Sequence, residues 1–342
     1  MNEITRVAID TSKAVFTIHA VDAQDRPVVR RNLRRQEVAA FFGKLPPVDV
    51  AIEACGASHH WGRTLIAMGH RVRLIPPQYV KPFVRRGKND RNDAQAISEA
   101  AARPDMPSVP VKSAERQADA MLLSVRDLLV RQRTQMVNAL RGHAAEMGLA
   151  APQGDKGLAQ LRAEIVADAA MPRAAVLALE MLGREIDRIE ARLCEIDARL
   201  LALLKAPDGI GPVSRRLAEV PGVGPISALN FALRVDAAAF SCARGFAAWL
   251  GLTPRDHSSG GKQRQGGITK AGNEQLRQLL VLGATAAIRH AKPGRASAWL
   301  LALLERKPRK LAAVALANKM ARIIWAMMTS GNAYRQTMPA KA

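Results

Sequence analysis

Cysteine is scarce in this sequence, and that scarcity restricts the classes of protein to which it can belong. The cysteines are Cys55, Cys194 and Cys242, which lie far apart among 342 residues. An odd number at such spacing supports neither a disulfide framework nor a zinc pattern. This usage is typical of a reducing compartment, and we therefore expect a cytoplasmic protein.

Long uncharged apolar runs are also missing. The most apolar stretch, residues 311–328, is interrupted by Lys319 and Arg322, whereas a membrane-spanning helix needs about 20 consecutive, mostly apolar residues. The opening residues, Met1-Asn2-Glu3-Ile4, lack a basic segment followed by an apolar one, which predicts no secretory signal. The Gly-x4-Gly-Lys-Ser/Thr phosphate-loop motif is absent as well. We therefore expect neither a membrane partner nor a nucleotide cofactor.

Acidic residues are outnumbered, and the resulting positive charge is concentrated in one region. The chain has 51 Lys and Arg against 30 Asp and Glu, a formal net charge of +21. Residues 206–342 carry 20 basic and six acidic side chains, whereas residues 106–205 carry 14 and 13. A regional excess favours a polyanionic partner, of which nucleic acid is the simplest. A basic surface that only promotes solubility is the alternative.

The first hundred residues alternate between strand and helix patterns. Strands are predicted at 5–10, 14–21, 28–33, 48–53 and 71–75, and helices at 36–44, 59–68 and 90–102. In the fourth strand, Val48, Val50 and Ile52 share one face, so the two faces differ in polarity. Three sequential strands, followed by two that each come after a helix, predict a mixed-sheet α/β domain over residues 1–105.

Residues 106–205 are predicted to be a helical domain, with helices at 113–148 and 173–204. Apolar residues in the second helix are spaced alternately three and four apart, which is the heptad pattern of a coiled coil. They are Leu179, Leu182, Ile186, Ile189, Leu193, Ile196, Leu200 and Leu203. This face can pack against the first helix within one chain or join subunits, and we favour a contribution to a homo-oligomer.

Residues 206–342 are predicted to form a mostly helical domain. A helix at 213–220, a Gly-rich turn and a helix at 226–233 have the helix-hairpin-helix pattern. In that motif the turn and the following helix present backbone N–H groups to a phosphate. Gly222 and Gly224 are therefore candidate nucleic-acid-binding residues, with an ordinary helix turn as the alternative. Further helices are predicted near 240–250, 273–290 and 309–330.

Four carboxylates in the first domain stand at positions that suit a metal site. Asp10 and Glu53 end two strands, and Asp90 and Asp93 lie three residues apart at the start of a helix. That spacing allows both aspartates to point to one side. Hard oxygen ligands of this kind bind divalent cations, which serve phosphodiester chemistry. For each acid alone, a helix cap or a surface ion pair is the alternative.

Residues 250–272 are predicted to form a long, polar, Gly-rich loop. Glycines allow close backbone approach and basic side chains neutralise phosphates. The basic residues of the loop are Arg255, Lys262, Arg264 and Lys270. Ser258 and Ser259 are candidate nucleophiles, with His257 as a candidate base. From composition alone, a plain phosphate-binding loop is the simpler interpretation.

Five short motifs occur in an order that resembles one known family. They are Ile9-Asp10-Thr11-Ser12-Lys13, Ile52-Glu53-Ala54-Cys55-Gly56, Lys88-Asn89-Asp90-Arg91-Asn92-Asp93-Ala94, Val220-Pro221-Gly222-Val223-Gly224, and Gly251-Leu252-Thr253-Pro254-Arg255 continuing to Ser259-Gly260-Gly261. The chain resembles the insertion-sequence-110 transposases over nearly its whole length. Its His-Ser-Ser-Gly-Gly-Lys stretch looks most like the 1111 subgroup. Each motif alone is weak, whereas five in order are specific.

The resemblance implies an RNase H-like domain of the RuvC type, with a DEDD site for Mg²⁺ or Mn²⁺. Its catalytic and metal-binding carboxylates fall on Asp10, Glu53, Asp90 and Asp93. A C-terminal transposase domain is implied as well, and its serine attacks DNA to form a phosphoserine link. That serine aligns with Ser259, while Ser258 stands where some relatives have an acidic residue. The resemblance further implies a structured bridge RNA and a tetramer with composite active sites.

Taken together, these features predict a Mg²⁺-dependent DNA recombinase that moves an insertion sequence. Its partners would be DNA, at the element ends and the target, a bridge RNA, and further copies in a dimer or tetramer. Two alternatives stay open. One is a RuvC-like, structure-selective endonuclease that uses metal-activated water, and the other is a non-catalytic nucleic-acid-binding protein.

Overall fold

A computed structural model describes residues 3–84, 89–256, 264–294 and 296–335. The chain forms two compact units. The first comprises Met1–Gln117 with Asp236–Cys242, and the second comprises Ala118–Val235 with Ala243–Ala342. A mixed α/β fold in the N-terminal part and a mostly helical C-terminal part are confirmed.

The first unit is built on a five-stranded sheet. Its strands are β1 (Arg6–Asp10), β2 (Val15–Val21), β3 (Pro27–Arg34), β4 (Asp49–Glu53) and β5 (Arg71–Ile75). They are ordered β3-β2-β1-β4-β5. β1, β2 and β3 pair antiparallel, whereas β1–β4 and β4–β5 pair parallel. The parallel pairs need helical crossovers and the antiparallel ones do not, as the strand and helix order predicts. The arrangement is consistent with a DEDD nuclease fold.

Four α-helices accompany the sheet. They are α1 (Val38–Phe42), α2 (Ser58–Ala67), α3 (Pro77–Val80) and α4 (Asp90–Ala101). The helix predicted at 36–44 is shorter than expected, because a 3₁₀ turn at Arg35–Glu37 precedes α1. α3 was not predicted, since Pro76-Pro77 suggested only the end of a strand. Proline fits the first turn of a helix, however, and Pro77 occupies that place in α3.

The two faces of the sheet pack against residues of different size. One face carries large apolar residues such as Ile9 and Ile52, which pack with side chains of α1 and α2. On the other face, Ala8 and Ala51 pack with α4. Because successive strand residues point to opposite faces, Asp10 shares a face with Ala8 and Glu53 shares a face with Ala51. The strand-end carboxylates therefore lie on the side of the sheet that α4 covers.

The second unit contains most of the helices and a short hairpin. Its helices are α5 (Ala114–Glu146, which begins in the first unit), α6 (Asp155–Ala167), α7 (Arg173–Lys205), α8 (Gly211–Ala218), α9 (Pro225–Arg234), α10 (Ala243–Trp249), α11 (Glu274–Arg289), α12 (Ala298–Arg306) and α13 (Arg309–Ser330). Strands β6 (Pro254–Asp256) and β7 (Gln265–Ile268) form an antiparallel pair. The expectation of an unbroken loop over 250–272 was therefore wrong. α6 and α12 were also not predicted.

The heptad face of α7 is covered within the chain. Leu179, Ile186 and Leu200 are at most 3% exposed. They belong to apolar clusters with α5, α6 and α9, whose buried members include Leu123, Leu140, Leu158, Leu161 and Leu229. Packing within one chain thus accounts for the heptad pattern. A contribution of α7 to oligomerisation stays a prediction.

Helix α13 is long and apolar enough to cross a membrane by length and composition alone. In the second unit it packs against α10 and α11. Its buried residues are Ala312, Ala313, Ala317, Met320, Ala321, Ile324 and Met327. The core helix of a globular unit meets the same criterion, and Lys319 and Arg322 interrupt the apolar run as noted from the sequence.

The turn between α8 and α9 packs on α11 through two glycines. Gly222 has a φ of +87°, and a Cβ placed on Gly283 would lie 1.9 Å from the Gly222 carbonyl oxygen. This backbone-to-backbone approach leaves no space for a side chain on either residue. Gly224 differs, because among the described residues no atom beyond its chain neighbours lies within 4 Å of the position its Cβ would take. Packing therefore accounts for Gly222, whereas Gly224 is open to an approaching ligand.

A matched pair of substitutions tests the glycine contact. Gly283→Ala should lower the free energy of unfolding by about 1–3 kcal/mol, because the new methyl group overpacks against Gly222. Gly142→Ala in α5, where nothing lies within 4 Å of the new Cβ, should raise it by up to about 1 kcal/mol through helix propensity. Urea unfolding of both variants measures the difference. Equal effects of the two changes would contradict the packing role of Gly283.

Candidate active site

Three aspartates converge where β1 ends and α4 begins. The carboxylate oxygens offered by Asp10, Asp90 and Asp93 all lie within 4.8 Å of one another. Oxygen ligands bind divalent cations at about 2.0–2.6 Å, so ligands on opposite sides of one ion lie about 4–5 Å apart. The spacing and the hard oxygen donors therefore fit a single divalent cation.

Glu53 lies beside this group but outside its 4.8 Å spacing. β1 and β4 pair Ile9 with Ile52, so Asp10 and Glu53 follow in register at neighbouring strand ends. The charges of Asp10 and Asp93 act on the Glu53 carboxylate. The structure thus brings all four predicted carboxylates to one edge of the first unit, with three of them at ligand spacing.

Burial and like charge make two of these carboxyls harder to ionise. Burial raises the pKa of Asp10, the Asp93 and Asp90 carboxylates raise it further, and a backbone hydrogen bond from Thr11 opposes them. Burial also raises the pKa of Glu53, with the charges of Asp10 and Asp93 adding to the effect. A bound cation would offset both contributions, because it favours the ionised form.

The structure bears on the alternatives of helix cap and surface ion pair. Asp90 and Asp93 do lie in the first turn of α4, where the helix dipole favours carboxylates. α4 is capped by Asn89, whose side-chain oxygen accepts a hydrogen bond from the Asn92 backbone N–H at 2.8 Å. The carboxylates of Asp90 and Asp93 are therefore not needed for the cap. Among the described residues, none of the four predicted carboxylates forms an ion pair with a lysine or arginine.

Small polar residues support the two strand ends, and sequence reasoning did not identify them as supports. The Thr11 hydroxyl and the Cys55 thiol lie 3.0 Å apart and join the segments that follow β1 and β4. The Ser58 hydroxyl, which is almost fully buried, donates to the Cys55 carbonyl at 2.8 Å. The signal was present in the sequence, since both segments belong to the motifs that carry Asp10 and Glu53.

The predicted nucleophile lies outside the described residues. The structure does not describe residues 257–263, which include His257, Ser258, Ser259 and Lys262. The flanking residues form β6 and β7, and Arg255, Arg264 and Lys270 on or beside these strands are exposed. The Arg255 guanidinium donates to the Thr269 carbonyl at 3.4 Å. Three of the four predicted phosphate-binding side chains are thus carried by the hairpin.

A buried arginine holds the base of this hairpin. Arg277 of α11 is 9% exposed, and its guanidinium donates to the carbonyls of Leu250 at 3.1 Å and Ala271 at 2.7 Å. Gly272 passes so close to Trp249 that a Cβ would lie 1.8 Å from the Trp249 carbonyl oxygen. The sequence contained one signal, because Arg277 occupies a position on the apolar face of its helix, where a charge needs a partner.

Metal binding at the aspartates is testable through protein stability. In the folded chain the pKa of Asp10 is raised above its ordinary value of 3.8. The free energy of unfolding therefore falls as the pH rises from the ordinary pKa to the raised one, because the folded chain holds this proton more tightly than the unfolded chain does. At neutral pH with EDTA, Asp10→Asn should raise the melting temperature by about 2 °C, where roughly 2–4 °C corresponds to 1 kcal/mol. This gain in melting temperature should disappear at a pH below the ordinary pKa of Asp10, where the carboxyl of the wild type is protonated in both the folded and the unfolded chain.

Added Mg²⁺ or Mn²⁺ should reverse this order. Only the wild-type chain keeps all four candidate ligands, so its melting temperature should rise more than that of the Asp10→Asn variant. Asp105→Asn, which changes an exposed carboxylate in the same unit, serves as the control and should behave as wild type. Identical responses of wild type and Asp10→Asn to the cation would rule out Asp10 as a ligand.

The Arg277 contacts predict a large stability effect. Arg277→Met should lower the free energy of unfolding by about 2–3 kcal/mol, because two backbone carbonyls lose a charged donor. Arg289→Met removes an exposed arginine from the same helix and should change it by less than about 0.5 kcal/mol. Urea unfolding measures both. If the two variants were equally stable, Arg277 would not hold the base of the hairpin.

Two family models match parts of this chain. Residues 7–148 match a model of DEDD transposases of the IS110 type. Residues 214–299 match the model described as the Transposase IS116/IS110/IS902 family. The first matched region contains all four candidate carboxylates, and the second contains the hairpin and Arg277.

Whole-length relatives agree with the family models. The transposase for insertion sequence element IS1111A of Coxiella burnetii is 39% identical over 341 residues, covering 98% of this chain and 92% of the relative. The transposase for IS1328 of Yersinia enterocolitica is 34% identical over 337 residues, covering 98% and 99%. A Sinorhizobium fredii protein named as a transposase is 48% identical over 340 residues, covering 98% and 87%. The chain therefore belongs to the IS110 family of insertion-sequence transposases, enzymes that cleave and transfer DNA strands.

Proposed function

We propose that this transposase cuts DNA with the Ser259 hydroxyl while four carboxylates hold Mg²⁺ or Mn²⁺. The ligands would be Asp10, Glu53, Asp90 and Asp93. The observation that carries the proposal is the convergence of three aspartates, whose oxygens lie within 4.8 Å of one another. When bound, such a cation polarises the scissile phosphate. Glu53, which lies beside the group, would complete the set by rotating its flexible side chain.

The proposed cleavage step exchanges one phosphodiester linkage for another and so conserves the energy of the linkage. The Ser259 oxygen forms a bond to phosphorus, and the bond from phosphorus to one DNA oxygen breaks. The serine proton passes to a base, for which His257 is the candidate, and the released DNA oxygen takes up a proton as a hydroxyl. A second DNA hydroxyl can then attack the phosphorus of the phosphoserine link, which forms a new phosphorus–oxygen bond to DNA, breaks the bond to the Ser259 oxygen and returns a proton to that hydroxyl. Strand exchange of this kind needs no nucleotide cofactor.

Basic residues around the hairpin are the proposed contacts to the DNA backbone. Arg255, Arg264 and Lys270 are exposed on or beside β6 and β7, and Lys262 lies between them in sequence. Each would neutralise a phosphate and make binding dependent on salt. Gly224, which has open space around it at the start of α9, is a further proposed contact through the helix N-terminus.

The wider setting is proposed from the family. We expect a catalytic domain over residues 1–105, a helical coiled-coil linker over 106–205 and a transposase domain with a helix-hairpin-helix over 206–342. A bridge RNA would select donor and target DNA at the element ends and the insertion site. The protein would act in the cytoplasm as a dimer or tetramer.

One observation favours a second candidate function. The aspartate cluster lies entirely within the first compact unit, and its carboxylates converge without any residue of the hairpin. A structure-selective endonuclease that cleaves with metal-activated water would need only this cluster. In that case the hairpin would bind DNA without forming a covalent link.

Substitution of the serines separates the two functions. With DNA of the element ends and RNA from the flanking region, the wild type should form a covalent protein–DNA adduct visible on denaturing gels. Ser259→Ala should abolish the adduct and lower cleavage by at least about 10³-fold, because the nucleophile is lost. Ser258→Ala is the matched control and should retain the adduct.

The carboxylates are tested in the same assay. Asp10→Asn should abolish metal-dependent cleavage, whereas Asp105→Asn should not. Cleavage that survives Ser259→Ala, with no adduct in the wild type, would establish the endonuclease instead. DNA binding with no cleavage under any of these conditions would leave only the non-catalytic alternative.

A further inference from the structure

A groove of about 770 Å³ runs alongside the hairpin in the second unit. Its walls come from β6, β7, α12 and α13, and they include Pro254, Ile268, Trp299, Leu311 and Arg322. We propose that this groove binds one unpaired nucleotide of the DNA substrate, with its base stacked on Trp299. The proposal rests on the DNA-cleaving function proposed above and adds a specific substrate contact to it.

Trp299 is placed as a stacking surface. Its side chain is 39% exposed, whereas Trp61 in the first unit is 6% exposed. The Lys319 ammonium lies 4.3 Å from the centroid of the Trp299 ring, which orients the indole by a cation–π contact. Nucleobases stack on exposed aromatic rings of this kind, because every base has an apolar π-face. The Lys319 ammonium covers one face of the ring, so the proposed base would stack on the opposite face of this partly exposed side chain.

The charges around the groove suit a nucleotide. Lys319 and Arg322 line it, and none of its lining residues in the described part of the chain is acidic. α13, which forms one wall, contains four basic residues and no acidic one. A groove lined mostly by apolar residues, with Lys319 and Arg322 beside them, matches a ligand that has an apolar base and an anionic phosphate.

A second copy of the chain is the competing occupant, since an apolar groove also fits an apolar side chain. Charge argues against it. The chain carries +21, and an interface here would bring the basic surface of α13 against another basic protein, which costs electrostatic free energy. A DNA strand brings the opposite charge.

The hairpin argues for DNA as the nucleic acid. β6 and β7 form one wall of the groove, and the same strands flank residues 257–263, which contain the proposed nucleophile. We therefore assign the groove to the DNA substrate, because the hairpin that lines it carries the proposed DNA-cleaving serine in its sequence.

Binding of a base-free strand provides the direct test. We would measure, in EDTA, the affinity of a labelled oligodeoxythymidine and of a strand of the same length in which every nucleotide is abasic. The affinity for the matched oligoribouridine and the oligomer mass of each variant would be measured alongside. The wild type should bind the oligodeoxythymidine about 5- to 150-fold more tightly than the abasic strand, which is the range that base stacking gives. Trp299→Ala should bind both strands with equal, weak affinity.

Three further variants complete this test, and they distinguish a lost contact from a general loss of structure. Trp299→Phe keeps an aromatic ring and should retain most of the preference for bases. Leu282→Ala removes an exposed apolar side chain of α11 that does not line the groove, and it should behave as wild type. Trp299→Ala should also leave the salt dependence unchanged, whereas Arg322→Gln should reduce the log–log slope by about 0.7–0.9.

Several results would overturn the proposal. The first is equal affinity of the wild type for both strands, and the second is unchanged binding by Trp299→Ala. The third is a loss of affinity in Trp299→Ala that depends on bases only in oligoribonucleotides. The fourth is a change of oligomer mass in Trp299→Ala without loss of base preference. Failure here, with metal-dependent cleavage intact in the wild type, would refute the groove alone. A base preference that depends on Trp299, in a protein that never cleaves DNA, would instead refute the proposed function.

Discussion

Carboxylates held close together against their mutual repulsion are the constraint on which the first unit depends. Asp10 and Glu53 stand at adjacent strand ends, and α4 brings Asp90 and Asp93 to the same edge. The alanines Ala8 and Ala51 make this approach possible, because a helix can lie close to strands that present small side chains. The apolar cluster on the other face of the sheet supplies the burial that keeps the strands in register. Burial, together with repulsion from the neighbouring carboxylates, raises the pKa of Asp10 and Glu53, and a bound divalent cation would favour their ionised forms.

The second unit has a comparable local constraint at the hairpin. Arg277 is buried and binds two backbone carbonyls, and Asn318 donates to the Leu252 carbonyl at 3.2 Å. Both contacts are made to the chain immediately outside β6 and β7. They fix the positions from which the segment with the candidate serines departs and to which it returns. A functional segment carried by fixed ends can be positioned more accurately than one on a long unsupported loop.

Alternation and turn residues predicted the sheet of the first unit well. Each of its five strands was expected within a few residues of its observed bounds, because a half-buried strand needs a period of two. The hairpin was not expected, since Gly266 and Gly267 interrupt any alternation in β7 and the surrounding sequence is polar. α6 was missed for a similar reason, because it starts directly after Gly154 in a stretch rich in alanine, proline and glycine. The heptad pattern of α7 predicted a packed face but could not identify the partner.

The sequence by itself determined the alternation of residues in the strands of the first unit and the heptad spacing in α7. It determined that the fourth strand has two faces of different polarity, where the acids stand along the chain and where positive charge accumulates, because these can be read from the order of the residues alone. The tertiary structure decided which residues come into contact. It brought three acids to ligand spacing and left Glu53 just outside. It also covered the heptad face with α5, α6 and α9, and placed Gly222 against Gly283. Such distances join residues tens of positions apart, and they depend on the volumes of all the side chains packed between them.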